Sequence, residues 1–203
     1  MNADRWAFFL LAVSNGLRAG IAALLPITFS WWLLSDSIGA LYAGVAVFFI
    51  QLPVAFGLVL GERMVDKWGA SDLLDFSNLL ALCLLMGAAM LAEVSAGAGL
   101  VIAVVAAANF ILAMGSMAQD SRVPELAQHA SLALEKANGL RDVAFSLGMA
   151  AGPVLGVLLV EQQDLTPALL AAFAMAFAVL ILEFVFFSGR HGPCRKKCDE
   201  GAT

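Results

Sequence analysis

The sequence predicts an all-α integral membrane protein of six transmembrane helices, on three observations. Of its 203 residues, 62% are hydrophobic and only 13% are charged, which is more apolar surface than a soluble domain of this length can bury. Six apolar runs are each long enough, at about 18 residues or more, to cross a bilayer as a helix. Ten of the eleven Lys and Arg residues fall in alternate connections or at the ends of the chain, the pattern that the positive-inside rule gives a multi-pass protein.

The runs cover approximately residues 6–34, 38–60, 73–94, 99–119, 143–160 and 167–187. The first is long enough to tilt, or to bend near Pro26. Connections are short except between spans four and five. There Asp120 to Asp142 forms a polar, helix-compatible stretch opening on Asp120-Ser121-Arg122-Val123-Pro124. The spans make a membrane domain over residues 1–188. Residues 189–203 form a basic tail, too short for another span and expected to be disordered.

Orientation follows from the basic residues. Arg5 precedes span one, and Arg63 and Lys67 lie between spans two and three. Arg122, Lys136 and Arg141 lie between spans four and five, and Arg190, Arg195, Lys196 and Lys197 follow span six. The opposite connections, near Asp36, from Glu93 to Ala98 and from Glu161 to Asp164, carry no Lys or Arg. The basic side is therefore expected in the cytoplasm, with both termini there and the protein in the plasma or inner membrane. Trp6, Trp31, Trp32 and Trp68 fall at span ends or in a loop, where interfacial aromatics sit.

Several function classes are disfavoured. A net charge of −5 argues against a nucleic-acid partner, because phosphate binding needs surplus Lys and Arg. The first run is longer than a signal-peptide core and lacks a small-residue cleavage site. His129 and His191 are isolated, and no Ser-His-acid set, nucleotide loop or metal-ligand cluster stands out. No enzymatic activity, metal or cofactor is expected. Cys83 in span three is expected to pack as a small hydrophobe. Cys194 and Cys198 flank a basic run and read as reduced cytoplasmic thiols or as reversible acylation sites.

The two halves show a faint internal likeness at an offset of 95 residues, with Gly57-Leu58-Val59-Leu60-Gly61 aligning with Gly152-Pro153-Val154-Leu155-Gly156. Val65-Asp66 then aligns with Val160-Glu161, and Leu74 with Leu169. Three spans per half place the copies in opposite orientations, an inverted 3+3 repeat of the kind found in secondary transporters. Chance similarity between two Gly-Leu-Val-rich helices is the competing explanation.

Two motifs stand out. The loop after span two reads Gly61-Glu62-Arg63-Met64-Val65-Asp66-Lys67-Trp68-Gly69-Ala70. An acid near helix ends, a base at the headgroups and a glycine for tight reversal suit a short cytoplasmic turn; an ordinary charged turn would look similar. Span five is approached by Pro124-Glu125-Leu126 and Lys136-Ala137-Asn138-Gly139-Leu140, and contains Gly148-x-x-x-Gly152-Pro153-x-x-Gly156. The three glycines share one helix face and let another helix approach closely, while Pro153 bends the span. Generic glycine packing is the alternative.

Both motifs resemble the major facilitator superfamily. The loop is similar to its loop 2–3 signature, Gly-x-x-x-Asp-Arg-x-Gly with trailing bases, through Gly61, Asp66, Lys67 and Gly69. It departs in having Glu62 at the expected glycine and Ala70 and Ser71 in place of basic residues. Span five resembles the antiporter-type motif Gly-x-x-x-Gly-Pro-x-x-Gly, and its approach is similar to bacterial exporters and lysophospholipid carriers of that superfamily. The Arg-x-x-Gln-Gly pattern of span four is absent. The resemblance covers nearly the whole chain but only the N-terminal six-helix half of a twelve-helix transporter. It implies that the span-five glycine face packs against a second lobe and that Arg122 pairs with Asp66.

Within the spans, Arg18 near the middle of span one is costly in lipid and must face protein or water. It reads either as an anion site or coupling charge, or as a snorkelling side chain or structural partner of an acid. Asn15 lies about one turn earlier on the same face. Gln51 and Asn109 could join the same cavity or serve as interhelical hydrogen bonds. Glu183, close to the cytoplasmic end of span six, is expected to reach the interface. The resemblance implies a secondary transporter half acting on a small molecule, with Asn15, Arg18, Gln51 and Asn109 as cavity residues. It would need a second six-helix lobe, as a homodimer or with a separately encoded half. The alternatives are a non-transporting scaffold or assembly subunit, or a truncated transporter remnant.

Overall fold

In hydrocarbon a backbone can satisfy its polar groups only within a helix or a closed barrel, and each apolar run folds accordingly as one helix. A computed structural model of the chain describes residues 3–35, 39–94, 97–160 and 164–187. It contains α1 (Ala3–Ser35), α2 (Ala40–Trp68), α3 (Ala70–Glu93), α4 (Ala98–His129), α5 (Leu134–Leu159) and α6 (Thr166–Phe187), with no strand among the described residues. All six are long and apolar enough to span a membrane. The basic residues, cysteines and histidine of the tail lie outside the described residues.

The connection between spans four and five, helix-compatible in the sequence, extends both of its flanking helices. Asp120 to Asp142 is almost entirely helical, because α4 runs on through Pro124 to His129 and α5 begins at Leu134. An apolar stripe hidden in the polar stretch explains this. Val123, Leu126, Ala127 and Ala130 recur at helical spacing and are buried against Phe8 and Leu11 of α1 and Ala137 of α5. The turn closes where Ser131 enters the left-handed region at φ 52°, with Leu132 N–H donating to Ala127 O at 2.9 Å. At the other tight turn, Gly69 alone separates α2 from α3 at φ 88°, a conformation that side-chain-bearing residues rarely adopt.

The helices pack in two equivalent triplets. α1 lies mainly on α5 and α6, α4 lies mainly on α2 and α3, and α3 meets α6. Exchanging α1 with α4, α2 with α5 and α3 with α6 maps this pattern onto itself, as an inverted repeat requires. The aligned glycines do the same job in each copy. A Cβ on Gly57 would meet Phe110 O of α4 at 2.5 Å, and one on Gly61 would meet Met114 Cα at 3.0 Å. In the other triplet, a Cβ on Gly148 or Gly152 would strike the carbonyl oxygens of Gly16 and Gly20 in α1, and one on Gly156 would meet Thr28 Oγ1 at 2.7 Å.

The span-five glycine face thus packs inside its own lobe, not against a second one as the resemblance implied. The reason lies in α1, whose Gly16 and Gly20 have the same four-residue spacing and bring the two backbones into contact. Lipid tails give no hydrophobic drive for helix association, so such close approach supplies the adhesion through dispersion. Behind these contacts lies an apolar core of Ile21, Leu24, Leu25 and Phe29 with Leu85 and Leu169. Cys83 is not part of it but is exposed on α3. Trp6, Trp31 and Trp68 are about half exposed near helix ends.

Gly148→Ala and Gly152→Ala are therefore expected to destabilise the bundle by about 1–3 kcal/mol each through overpacking. Gly87→Ala, where a Cβ meets nothing within 4 Å, should be neutral or slightly stabilising. Thermal unfolding of the purified variants in detergent measures the difference; equal midpoints for Gly148→Ala and Gly87→Ala would contradict the packing described.

Candidate functional site

Polar side chains from four helices meet inside the bundle. Arg18, in the middle of α1, is 4% exposed and Glu183 of α6 is 2% exposed. The Arg18 Nη2 lies 3.2 Å from both carboxylate oxygens of Glu183. The same Nη2 donates to Asn78 Oδ1 of α3, and Asn78 Nδ2 donates to Glu183 Oε2. Ser14, one turn before Arg18, donates to Glu183 Oε1 at 2.7 Å. Gln119 of α4 completes the set, its Nε2 donating to Leu11 O at 2.9 Å and to Ser14 Oγ at 3.1 Å.

Glu183 therefore does not reach the interface as expected from its position. It turns inward because Arg18, Asn78 and Ser14 offer a countercharge and hydrogen bonds there. The strongest charges acting on Arg122 likewise come from Glu125, Glu183 and Asp75, rather than from Asp66, which is exposed in the last turn of α2. Between α4 and α5, Arg141 Nη1 pairs with Asp120 Oδ1 at 3.0 Å, a tie not anticipated from the sequence.

Arg18 also borders a cavity of about 200 Å³ walled by α1, α2, α4 and α5. Its polar lining is Arg18 with Asn15, Asn109 and Ser116, and its apolar walls include Ala22, Val54, Leu58 and Phe145. Two of these side chains retain unused hydrogen-bonding capacity. Arg18 Nε and Nη1, and both amide atoms of Asn109, are buried without a hydrogen-bond partner. Such groups are rare in folded proteins, and these atoms lie against protein, Arg18 being 4% and Asn109 2% exposed.

Of the expected cavity residues, Asn15, Arg18 and Asn109 come together. Gln51 does not: Ile50 takes the inward position on α2, which turns its neighbour about 100° away to an exposed face. The loop residues Asp66, Lys67 and Gly69 sit at a helix end, and Gly61, Gly148, Gly152 and Gly156 serve the packing of α2 and α5. Sequence reasoning missed Ser14, Asn78 and Gln119, although polar residues inside apolar spans were the available signal. It also missed Gly115, where a Cβ would meet Arg18 Nη1 at 2.6 Å; this glycine leaves room for the guanidinium.

A larger hollow of about 540 Å³ lies between α2 and the start of α4, lined by Leu33, Tyr42, Phe49, Pro53 and Ile102 among others. Apart from the Tyr42 hydroxyl its named walls are apolar, so it offers area without the oriented polar groups that define a specific site. The smaller cavity is the better candidate. Glu183→Ala should cost about 3–5 kcal/mol by leaving Arg18 buried and unpaired, whereas the double replacement Arg18→Met with Glu183→Leu should recover most of that loss. Thermal unfolding across the full mutant cycle checks this. Additive single effects would show that the two charges do not depend on each other.

Comparison with known proteins adds an independent line. Over 197 residues the chain is 25% identical to the multidrug efflux pump Tap of Mycobacterium tuberculosis and to that of Mycobacterium bovis, covering 95% of this chain and 47% of each relative. It is 26% identical over 200 residues to the multidrug efflux pump Tap of Mycolicibacterium fortuitum, covering 94% of this chain and 48% of that protein. The chain thus spans about half the length of the curated relatives it matches. No family model matches, and no solved structure does.

Proposed function

We propose that this chain is one lobe of a secondary transporter that moves a small molecule across the cytoplasmic membrane by alternating access. Similarity to efflux pumps along nearly the whole chain supports transport, and it favours export as the direction. The observation that carries the site assignment is that Arg18 and Asn109 line one cavity between four helices, alongside Asn15 and Ser116. Both lie well inside membrane-spanning helices, where a carrier's midplane site belongs.

A second six-helix lobe completes the path, whether a second copy or a separately encoded half. Two features support this. The chain matches about half the length of its relatives, and the helices flanking the cavity, α2 and α5, are the least buried of the six. Phe48, Phe49 and Phe56 on α2 and Phe145 and Leu147 on α5 are exposed, apolar faces suited to lipid or to another lobe. The basic connections lie on the cytoplasmic side, with both ends of the chain there. Arg18 is shared between the polar cluster and the cavity, so a change in how the lobes meet could reach the solute through it.

In cells deprived of other drug pumps, the protein should lower the accumulation of lipophilic fluorescent dyes. Asn109→Ala should reduce this export at least tenfold at equal expression, while Gln51→Ala should leave it unchanged. Wild-type export by Asn109→Ala would remove the cavity from the transport path. Reporter tags in the turn between α2 and α3 and in that between α4 and α5 should both be cytoplasmic, and external tags at both would reverse the orientation.

A further inference from the structure

Two polar side chains stand on faces that the lobe itself does not use. Gln51 of α2 and Ser146 of α5 are both exposed near the middle of long apolar helices. Neither has a hydrogen-bond partner among the described residues. Water would satisfy such groups at a soluble surface. Hydrocarbon does not, and an amide facing it keeps its donors and its oxygen unpaired.

The two positions are equivalent in the inverted repeat, at the same offset of 95 residues that relates Gly57 to Gly152. Their neighbours repeat with them. Gly44 and Ala55 flank Gln51 on one face of α2, and Gly139 and Ala150 flank Ser146 at the same spacing on α5. All four are exposed, and a Cβ on Gly44 or Gly139 would meet nothing within 4 Å. These faces are separate from those that Gly57 and Gly152 press against α4 and α1. In lipid, small residues let a second helix approach closely and a polar one between them adds a directional bond.

Depth and direction identify the partner. Counted at ~1.5 Å per residue, Gln51 lies about 17 Å from Ala40 and Ser146 about 20 Å from Leu159, which end α2 and α5 on the same side of the bundle. Both also look to the same side of the lobe. The cavity beside Arg18 is walled by Val54 and Leu58, which share the flank of α2 that carries Gln51, and by Phe145, the neighbour of Ser146. A second copy related by a two-fold axis along the membrane normal therefore sets α2 of each protomer antiparallel to α5 of the other. Gln51 then faces Ser146 of the partner at matching depth, with small residues opposed on either side. Amide and hydroxyl can each donate and accept. Asp142, one turn from Ser146, is already held by Arg141 of its own helix.

We propose that this face binds a second copy of the chain, in a two-fold dimer where Gln51 of each protomer hydrogen-bonds Ser146 of the other. The proposal rests on the two-lobe reading above and names the second lobe, but it concerns assembly and is read without transport. Gln51→Ala would remove only the hydrogen bond and leave the close contact, so export at high expression does not report it.

The test co-expresses two differently tagged full chains with Cys83, Cys194 and Cys198 replaced by Ser, one carrying Gln51→Cys and the other Ser146→Cys. Oxidation in native membranes should give a disulfide-linked product bearing both tags. Its yield should be at least fivefold above that of Gln51→Cys paired with itself or Ser146→Cys paired with itself. Chains retaining only Cys83, exposed on α3, measure chance collision and should stay at background. Adding Gly44→Leu and Gly139→Leu, which touch nothing within the lobe, should lower the mixed product at least fivefold. Equal yields from the mixed and self pairs, or from Cys83, would mean random encounter and overturn the interface. So would the absence of a mixed product, which would assign this face to lipid or to a different lobe. A mixed product in a protein that moves no dye would remove the transport role and leave the dimer standing, and dye export without it would do the reverse.

Discussion

A guanidinium halfway along a membrane helix cannot be left to hydrocarbon, and the way Arg18 is compensated organises the interior of this lobe. Its partner Glu183 comes from the sixth helix, and Asn78 from the third and Ser14 from its own helix add hydrogen bonds to the pair. Gln119 joins the fourth helix to the same group. Four of the six helices therefore depend for their relative placement on one charge pair. The desolvation cost of such a pair is large and its net contribution to stability small, so its value lies in fixing register. A shift of α6 by one turn would leave two buried charges apart.

Around this polar centre, adhesion comes from backbone contact. The repeat places Gly57 and Gly61 on α4 and Gly152 and Gly156 on α1, and in each case a methyl group at the glycine would collide or press on its neighbour. These two interfaces are the most extensive in the lobe. They leave α2 and α5 held along one face and bare on the rest. The cavity opens between these outer helices and the central pair α1 and α4. Movement of α5 relative to α1 would be opposed by the interlocking glycines.

The number of helices, their order and the basic connections were legible in the sequence because hydropathy reports the bilayer requirement directly. The extension of α4 and the early start of α5 were not, because Val123, Leu126, Ala127 and Ala130 are spaced among charged residues and only the packed neighbours Phe8 and Leu11 reveal the stripe as buried. Arg18, Asn15 and Asn109 were recognisable as polar residues in apolar runs. Glu183 was misplaced because its distance from the end of the span said nothing about the face it presents. Gln51 failed for the same reason, Ile50 being the residue that α2 turns inward. A hydropathy window averages over a helix circumference, and buried polar chemistry depends on the angle within it.

That dependence on angle also explains why one arginine can serve two environments. Ser14 and Arg18 are four residues apart and share the face directed at Glu183, whereas Asn15 is turned toward the cavity. Arg18 is long enough to leave Nη2 in the ion pair while bordering the cavity with part of its side chain, and Gly115 of α4 leaves room for Nη1. A lysine would offer one compact charge and could not present several donors in one plane in this manner. The guanidinium's planar, multiply donating shape thus lets one side chain hold Glu183 and Asn78 together while bordering the cavity.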